Sequence, residues 1–359
     1  MNRIPARTLK SYTPDNIPAG PTITLSGVIL RNSSKKQKRI FKFFSLFPLF
    51  LSTLLGSSHG GSVRVEQYDP VSSPRAYHWC TQISFHPDKE IIIDNHNDRV
   101  LCRQQGATIF SASPLSLHHP HSLVYNPSDQ LYYITDTDNH RIIAVDSLEN
   151  PRVQIATSSL AGIQLKRPHD IVIDPASGWL YAINPLSAVV FRFRAFGLGE
   201  SALDLSSQHL GYSRALTFSN GKLYVIGSST GKVVEVTNFD HAVYTVYQSA
   251  GKQRTAPAGN WQQTGLVLND VEQFKDYWYA SSYFSPAFSL PGQNYNTNKL
   301  IRFKTWEQFQ TGNWEDLSHL LPDGLVPYYL TVAGEFLYIP LFNQQIPGQG
   351  DCIFRLSTQ

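Results

Sequence analysis

Six residues at one place in a recurring sequence pattern carry most of the chemistry this chain offers: Thr81, His121, His169, Arg214, Asn269 and Tyr328. His121 and His169 bring imidazoles, which as neutral rings suit zinc or another transition ion. A catalytic zinc takes about three protein ligands, and the matching position of the fifth unit holds Asn269 rather than a histidine, with Thr81 and Tyr328 poor ligands, so the set is incomplete. The alternative is a pair of hydrogen-bonded polar residues. Arg214 has a planar fork of donors that can hold a carboxylate or stabilise an oxyanion. It can equally pair with Asp170 or Asp270. Tyr328 is either a proton donor or a packed ring with a hydrogen-bonded tip. Asn269 and Asp270 offer the hard oxygens that calcium prefers, although calcium wants six to eight of them. No acid stands at the first position of the set, where Thr81 is a poor ligand. The other reading of Asp170 and Asp270 is that they accept backbone hydrogen bonds.

These residues recur because the segment that each of them begins recurs. The clearest unit begins at His121, with Ser-Leu-Val-Tyr following, then Asn126-Pro-Ser-Asp, Leu131-Tyr-Tyr-Ile, Asp136-Thr-Asp-Asn and Arg141-Ile-Ile-Ala-Val. Short apolar alternations separated by Asn, Asp, Pro and Ser read as strand, turn, strand, turn, strand. Related units begin near Thr81, His169, Arg214, Asn269 and Tyr328, at intervals of 40 to 59 residues. That is the period of a propeller blade. One blade cannot bury both of its faces, so six must stack in a ring. The fold class expected is therefore all-β, a six-bladed β-propeller. The last unit lacks an outer strand, and a lone strand near 62–68 is placed to supply it. In this arrangement the first strand of each blade lines a central channel, and the six residues converge at its mouth. Asp136, Asp138, Asn139, His140 and Arg141 read as turn residues, with Arg141 tying one blade to the next. Insertions at 285–297 and 342–350 are placed to shape one face, and 306–321 is expected to include a short helix.

The chain has 359 residues, 42% hydrophobic and 16% charged, with a net charge of +3. The apolar share supports a sizeable core. The sparse charge does not suit a nucleic-acid partner. Six cations and no anion fall in residues 31–42. An apolar run at 43–55 and the small residues at 56–61 follow. Basic segment, short apolar core and small residues form the order of a secretory signal. The run is short of the roughly 20 residues a membrane helix needs. The chain thus divides into a leader, 1–61, and a propeller, 62–359. The protein is expected to be exported, periplasmic or secreted, touching a membrane only through 43–55 if the leader is kept. Cys80, Cys102 and Cys352 are too few and too scattered for a Cys-x-x-Cys zinc site. Either Cys352 pairs with Cys80 or Cys102, or all three are buried thiols. No Gly-x-Ser-x-Gly elbow, phosphate loop or dinucleotide fingerprint is present.

The unit ending in Asp138-Asn139-His140-Arg141-Ile142 resembles an NHL repeat, and Asn97-Asp98-Arg99-Val100 echoes it one unit earlier. The resemblance implies a six-bladed propeller of the NHL or TolB-like kind. Pro120-His121-Ser122-Leu123 and Pro168-His169-Asp170-Ile171 are similar to the histidine segments of peptidyl-hydroxyglycine amidating lyase. That similarity implies a catalytic zinc on His121 and His169, with Arg214 and Tyr328 in acid–base or orienting roles. Asn269-Asp270-Val271, followed by Tyr279-Ala-Ser-Ser-Tyr, is similar to paraoxonase and gluconolactonase-like propellers. That similarity implies calcium on Asn269 and a lactonase or arylesterase type of hydrolysis. No catalytic set is complete, so the leading expectation is a module that binds a small-molecule ligand or a protein at its channel mouth and blade loops.

Overall fold

A computed structural model describes residues 62–68, 77–86, 88–250, 254–255, 262–263, 266–282, 299–343, 346 and 348–358. The leader and the 285–297 insertion lie outside them. The described strands form six antiparallel blades. Blade one runs Cys80–His86, Lys89–Asp94, Arg99–Gln104 and Ser111–Ala112. Blade two runs Pro120–Asn126, Leu131–Asp136, Arg141–Val145 and Gln154–Thr157. Blades three and four start at Ile171–Ile173 and Ser213–Ser219, and blade five starts at Leu268–Phe274. A short helix, α1 (Trp306–Thr311), follows the third strand of blade five, capped by the Thr305 side chain and stopped by Gly312 at φ 79°. Among the described residues no helix is long and apolar enough to cross a membrane.

Blade six closes the ring from both ends of the chain. Its strands Phe336–Asn343 and Cys352–Thr358 are followed outward by Val63–Gln67, paired antiparallel from Val63 with Thr358 to Gln67 with Phe354. Its innermost strand is broken. Leu325–Pro327 and Thr331–Ala333 both pair with Phe336–Asn343, and Tyr328, Tyr329 and Leu330 lie between them. That break matters for the channel.

The apolar sequence blocks fill the spaces between blades. Ile91, Ile93 and Val100 of blade one pack on Leu123, Ile134 and Ile143 of blade two. Equivalent clusters join each later pair, and Cys80, Ile83 and Leu101 meet Tyr338 and Ile353 to seal blade six against blade one. All three cysteines are buried free thiols, so no bridge to Cys352 is made.

The Asp-x-x-Asn-x-Arg turns hold blades one and two together internally. Buried Asp136 accepts from Asn139 Nδ2 at 2.9 Å, Arg141 Nε at 2.7 Å and the His118 N–H at 2.7 Å. Asp94 does the same with Asn97, Arg99 and His78. The expectation that Arg141 links two blades is corrected. Its fork closes its own turn and reaches the Ser116 carbonyl, because Asp136 sits five residues back across the same hairpin. We expect Asp136→Ala to cost about 2–4 kcal/mol, since three donors lose one buried acceptor. Calorimetry should show Tm lower by roughly 5–10 °C. A loss under about 1 kcal/mol would contradict this role.

Blades are also tied to each other by side chains one residue past the channel positions. Gln82 accepts from Leu123 N at 2.7 Å, Asp170 from Leu216 N at 2.7 Å, and Asp270 from Leu330 N at 2.8 Å. Ser122 bonds Ile171 in the same place. Each tie gives a buried backbone N–H an acceptor on the neighbouring blade's side chain.

Candidate functional site: the channel mouth

Four of the six predicted residues come together. His121 and His169 stack with ring centroids 3.9 Å apart. Tyr328 lies 6.1 Å from His121, nearly parallel to it, and its hydroxyl accepts from an Arg214 terminal nitrogen at 2.9 Å. Arg214 Nε also reaches the Ser228 hydroxyl at 3.3 Å. His121, His169 and Tyr328 are buried. Arg214 is only partly so.

The other two predicted residues are structural. Thr81 Oγ1 donates to the His121 carbonyl at 2.9 Å. Asn269 Nδ2 donates to the Pro327 carbonyl at 2.6 Å, while its buried Oδ1 has no hydrogen-bond partner among the described residues. Both side chains serve the same purpose, tying one blade to the next.

Two aromatic residues complete the mouth and were not anticipated. Tyr329 enters the channel because the inner strand of blade six breaks around it. Its hydroxyl lies 2.7 Å from His169 Nδ1 and donates to the Arg214 carbonyl at 2.9 Å. Tyr212 meets His169 edge-on at 5.3 Å and carries the Arg214 guanidinium 5.2 Å above its ring. The Tyr328-Tyr329 pair was visible in the sequence, but the strand break that turns the second ring inward leaves no pattern of its own.

Burial, and next the positive Arg214, holds the His121 pKa well below its usual value. For His169 burial is again the main cause, followed by His121 and Arg214. Both rings are neutral near pH 7. The network assigns the His169 proton to Nδ1, since the Arg214 carbonyl 3.0 Å away can only accept. That leaves a lone pair on Nε2. The mouth therefore combines a fixed cation, phenol donors and a neutral base.

The implied metals fit poorly. Two imidazoles on one ion at about 2.0–2.1 Å per bond stand with centroids roughly 4.5–5.2 Å apart. His121 and His169 are closer than that. Asp270 spends one oxygen on Val271 N and the other on Leu330 N, so it has little to give calcium.

Below the mouth the inner strands surround a cavity of about 330 Å³, lined by Asp170, Asp270, Glu272, Thr217 and Tyr329 among others. Tyr329 thus lies between mouth and cavity. Burial, then the Asp170 charge, pushes Asp270 up to about 8, and burial pushes Asp170 up to about 6. Glu272 is raised well above its usual value by burial and next by Asp270. An acid with a raised native pKa binds more protons folded than unfolded, so its stabilising contribution is lost as pH rises. The two buried histidines act oppositely, but only below about pH 6.5. We therefore expect Tm to fall between pH 6.5 and 8.5, and Glu272→Gln to flatten that fall. An unchanged slope in this variant would contradict the account.

The fold and its turns define a six-bladed propeller, and a family model for the NHL repeat matches residues 117–144, the approach to blade two and its first three strands. No curated protein matches the chain. Among solved structures, virginiamycin B lyase from Staphylococcus aureus superposes with a TM-score of 0.54 at 10% identity, covering 83% of this chain and 100% of that one. A putative gluconolactonase gives 0.51 at 15% identity, covering 83% and 92%. A protein of unknown function from Bacteroides thetaiotaomicron gives 0.56 at 11%, covering 83% and 76%. At these identities the likeness is one of fold.

Proposed function

We propose that this chain is an exported ligand-binding propeller whose mouth takes a small carboxylate with an apolar body. One observation carries the reading. Arg214, half-buried, stands in the mouth with Tyr212, Tyr328 and two neutral imidazoles. A guanidinium with phenol donors and aromatic walls matches a planar anion attached to a flat or greasy group. Export rests on the basic, apolar and small segments of residues 31–61. The test is calorimetric titration of the full chain with sodium benzoate, acetate and phosphate, and with uncharged benzamide. The reading expects saturable one-to-one binding of benzoate and none of benzamide. Equal binding of both, or of neither, would defeat it.

A second reading is favoured by the His169 tautomer. Neutral His169 Nε2 can take a proton from the carbon next to a bound carboxylate, becoming imidazolium, while the guanidinium and the Tyr328 hydroxyl of the same mouth stabilise the enolate charge that develops. This makes the same mouth an acid–base catalyst without recourse to a metal held by His121 and His169. Turnover that survives Arg214→Ala or His169→Ala would exclude it.

A further inference from the structure

Outside the mouth, one group of side chains has the make-up of a metal site. One potential ligand atom from each of Asp98, His118 and His119 lies within 4.8 Å of the others. Among the described residues no other trio of His, Cys, Asp or Glu meets this condition. The His118 and His119 ring centroids are 4.7 Å apart, inside the range for two imidazoles on one ion and unlike the tighter pair in the mouth.

The surroundings orient these ligands. His119 Nδ1 is held by Asp138 Oδ2 at 2.7 Å, which leaves Nε2 for an ion. Asp138 is held in turn by Arg167 at 2.9 Å. A carboxylate on the far nitrogen of a ligating histidine fixes its tautomer and raises its basicity. Asp98 is aimed by the His119 backbone N–H, which donates to Oδ1 at 2.7 Å and leaves Oδ2 for an ion. His118 is placed by its own N–H on Asp136, so the NHL turn of blade two also positions this ligand. His96 covers the other face of His119 at 4.8 Å, and Trp79 packs on His96 at 4.1 Å.

We propose that Asp98, His118 and His119 form a binding site for a zinc-class divalent ion on the rim of the channel. Two neutral imidazoles and one carboxylate are a common zinc donor set, and three protein ligands leave a position open to water or to an anion. The site lies two residues before His121, beside the mouth but built from different side chains. It requires only a small inward shift, because ligands about 2.1 Å from one ion stand roughly 3.0–3.5 Å apart.

The experiment is a titration of the chelator-treated full chain with zinc chloride, followed by cobalt(II) substitution and its visible spectrum. One equivalent of zinc is expected, with a tetrahedral or five-coordinate cobalt band. His118→Ala should weaken zinc at least tenfold, and this exposed residue can be removed without touching the core. Asp138→Asn should weaken it about 10- to 100-fold by loosening His119. His169→Ala should leave zinc binding unchanged. No stoichiometric zinc in folded protein would overturn the proposal. So would unchanged affinity in His118→Ala, or loss in His169→Ala alone. Benzoate binding at Arg214 is measured without metal, so the two readings fail separately.

Discussion

Deleting residues 62–68 should abolish cooperative unfolding or lower Tm by more than 10 °C. The strand Val63–Gln67 supplies the outer edge of blade six over five paired residues. Val63 and Val65 pack on the cluster around Leu337 and Leu356. Glu66 pairs with Arg355 through a 2.7 Å hydrogen bond from Nε. Just beyond the strand, Tyr68 N–H bonds the Ile353 carbonyl at 2.8 Å, and its ring meets Tyr338 of blade six and Phe85 of blade one. At about 1 kcal/mol per backbone hydrogen bond, with the apolar burial added, the loss is about 5 kcal/mol or more. A whole domain holds only about 5–15 kcal/mol. The deletion also exposes the edge of Cys352–Thr358, an aggregation site. Thermal unfolding followed by circular dichroism measures this. A transition within a few degrees of the full chain would show that the ring does not depend on its closing strand.

Arg214→Ala should weaken benzoate by about 2–4 kcal/mol, or about 30- to 1000-fold. The guanidinium carries the charge recognition in this reading, with Arg167 the next cation felt by the mouth histidines. Its contacts include bonds to the Ser228 and Tyr328 hydroxyls and the faces of Tyr212 and Tyr328, so circular dichroism and Tm of the variant are measured beside its affinity. Arg214→Lys should recover little, because an ammonium keeps the charge but loses the planar fork. Tyr328→Phe should cost less, about 1 kcal/mol, since it removes one hydroxyl and keeps the ring. If Arg214→Ala binds benzoate as tightly as the native chain, the mouth does not recognise charge through this residue.

The architecture was legible because blades repeat. Turn residues such as Asn126-Pro-Ser-Asp and Asp136-Thr-Asp-Asn punctuate the clearest unit, and a unit that recurs but cannot bury both faces must stack into a ring. Alignment of the units also placed His121, His169, Arg214 and Tyr328 together, since a position repeated in every blade must recur around the axis. Function within that ring was less legible. Thr81 and Asn269 occupy the same sequence position as the mouth residues, yet face the backbone of the next blade. Tyr329 acts through a local strand break, which periodicity does not encode. His118 and His119 lie in an approach segment, where only the fold brings Asp98 from the previous blade beside them.

The most direct test of the central claim is a ¹⁵N spectrum of the arginine Nε–H groups, with Arg214 assigned from the Arg214→Lys variant, recorded as sodium benzoate is added. The account predicts that the Arg214 signal shifts saturably with benzoate and stays still with benzamide. A signal that is unmoved at saturating benzoate, or that moves equally for both, would contradict it.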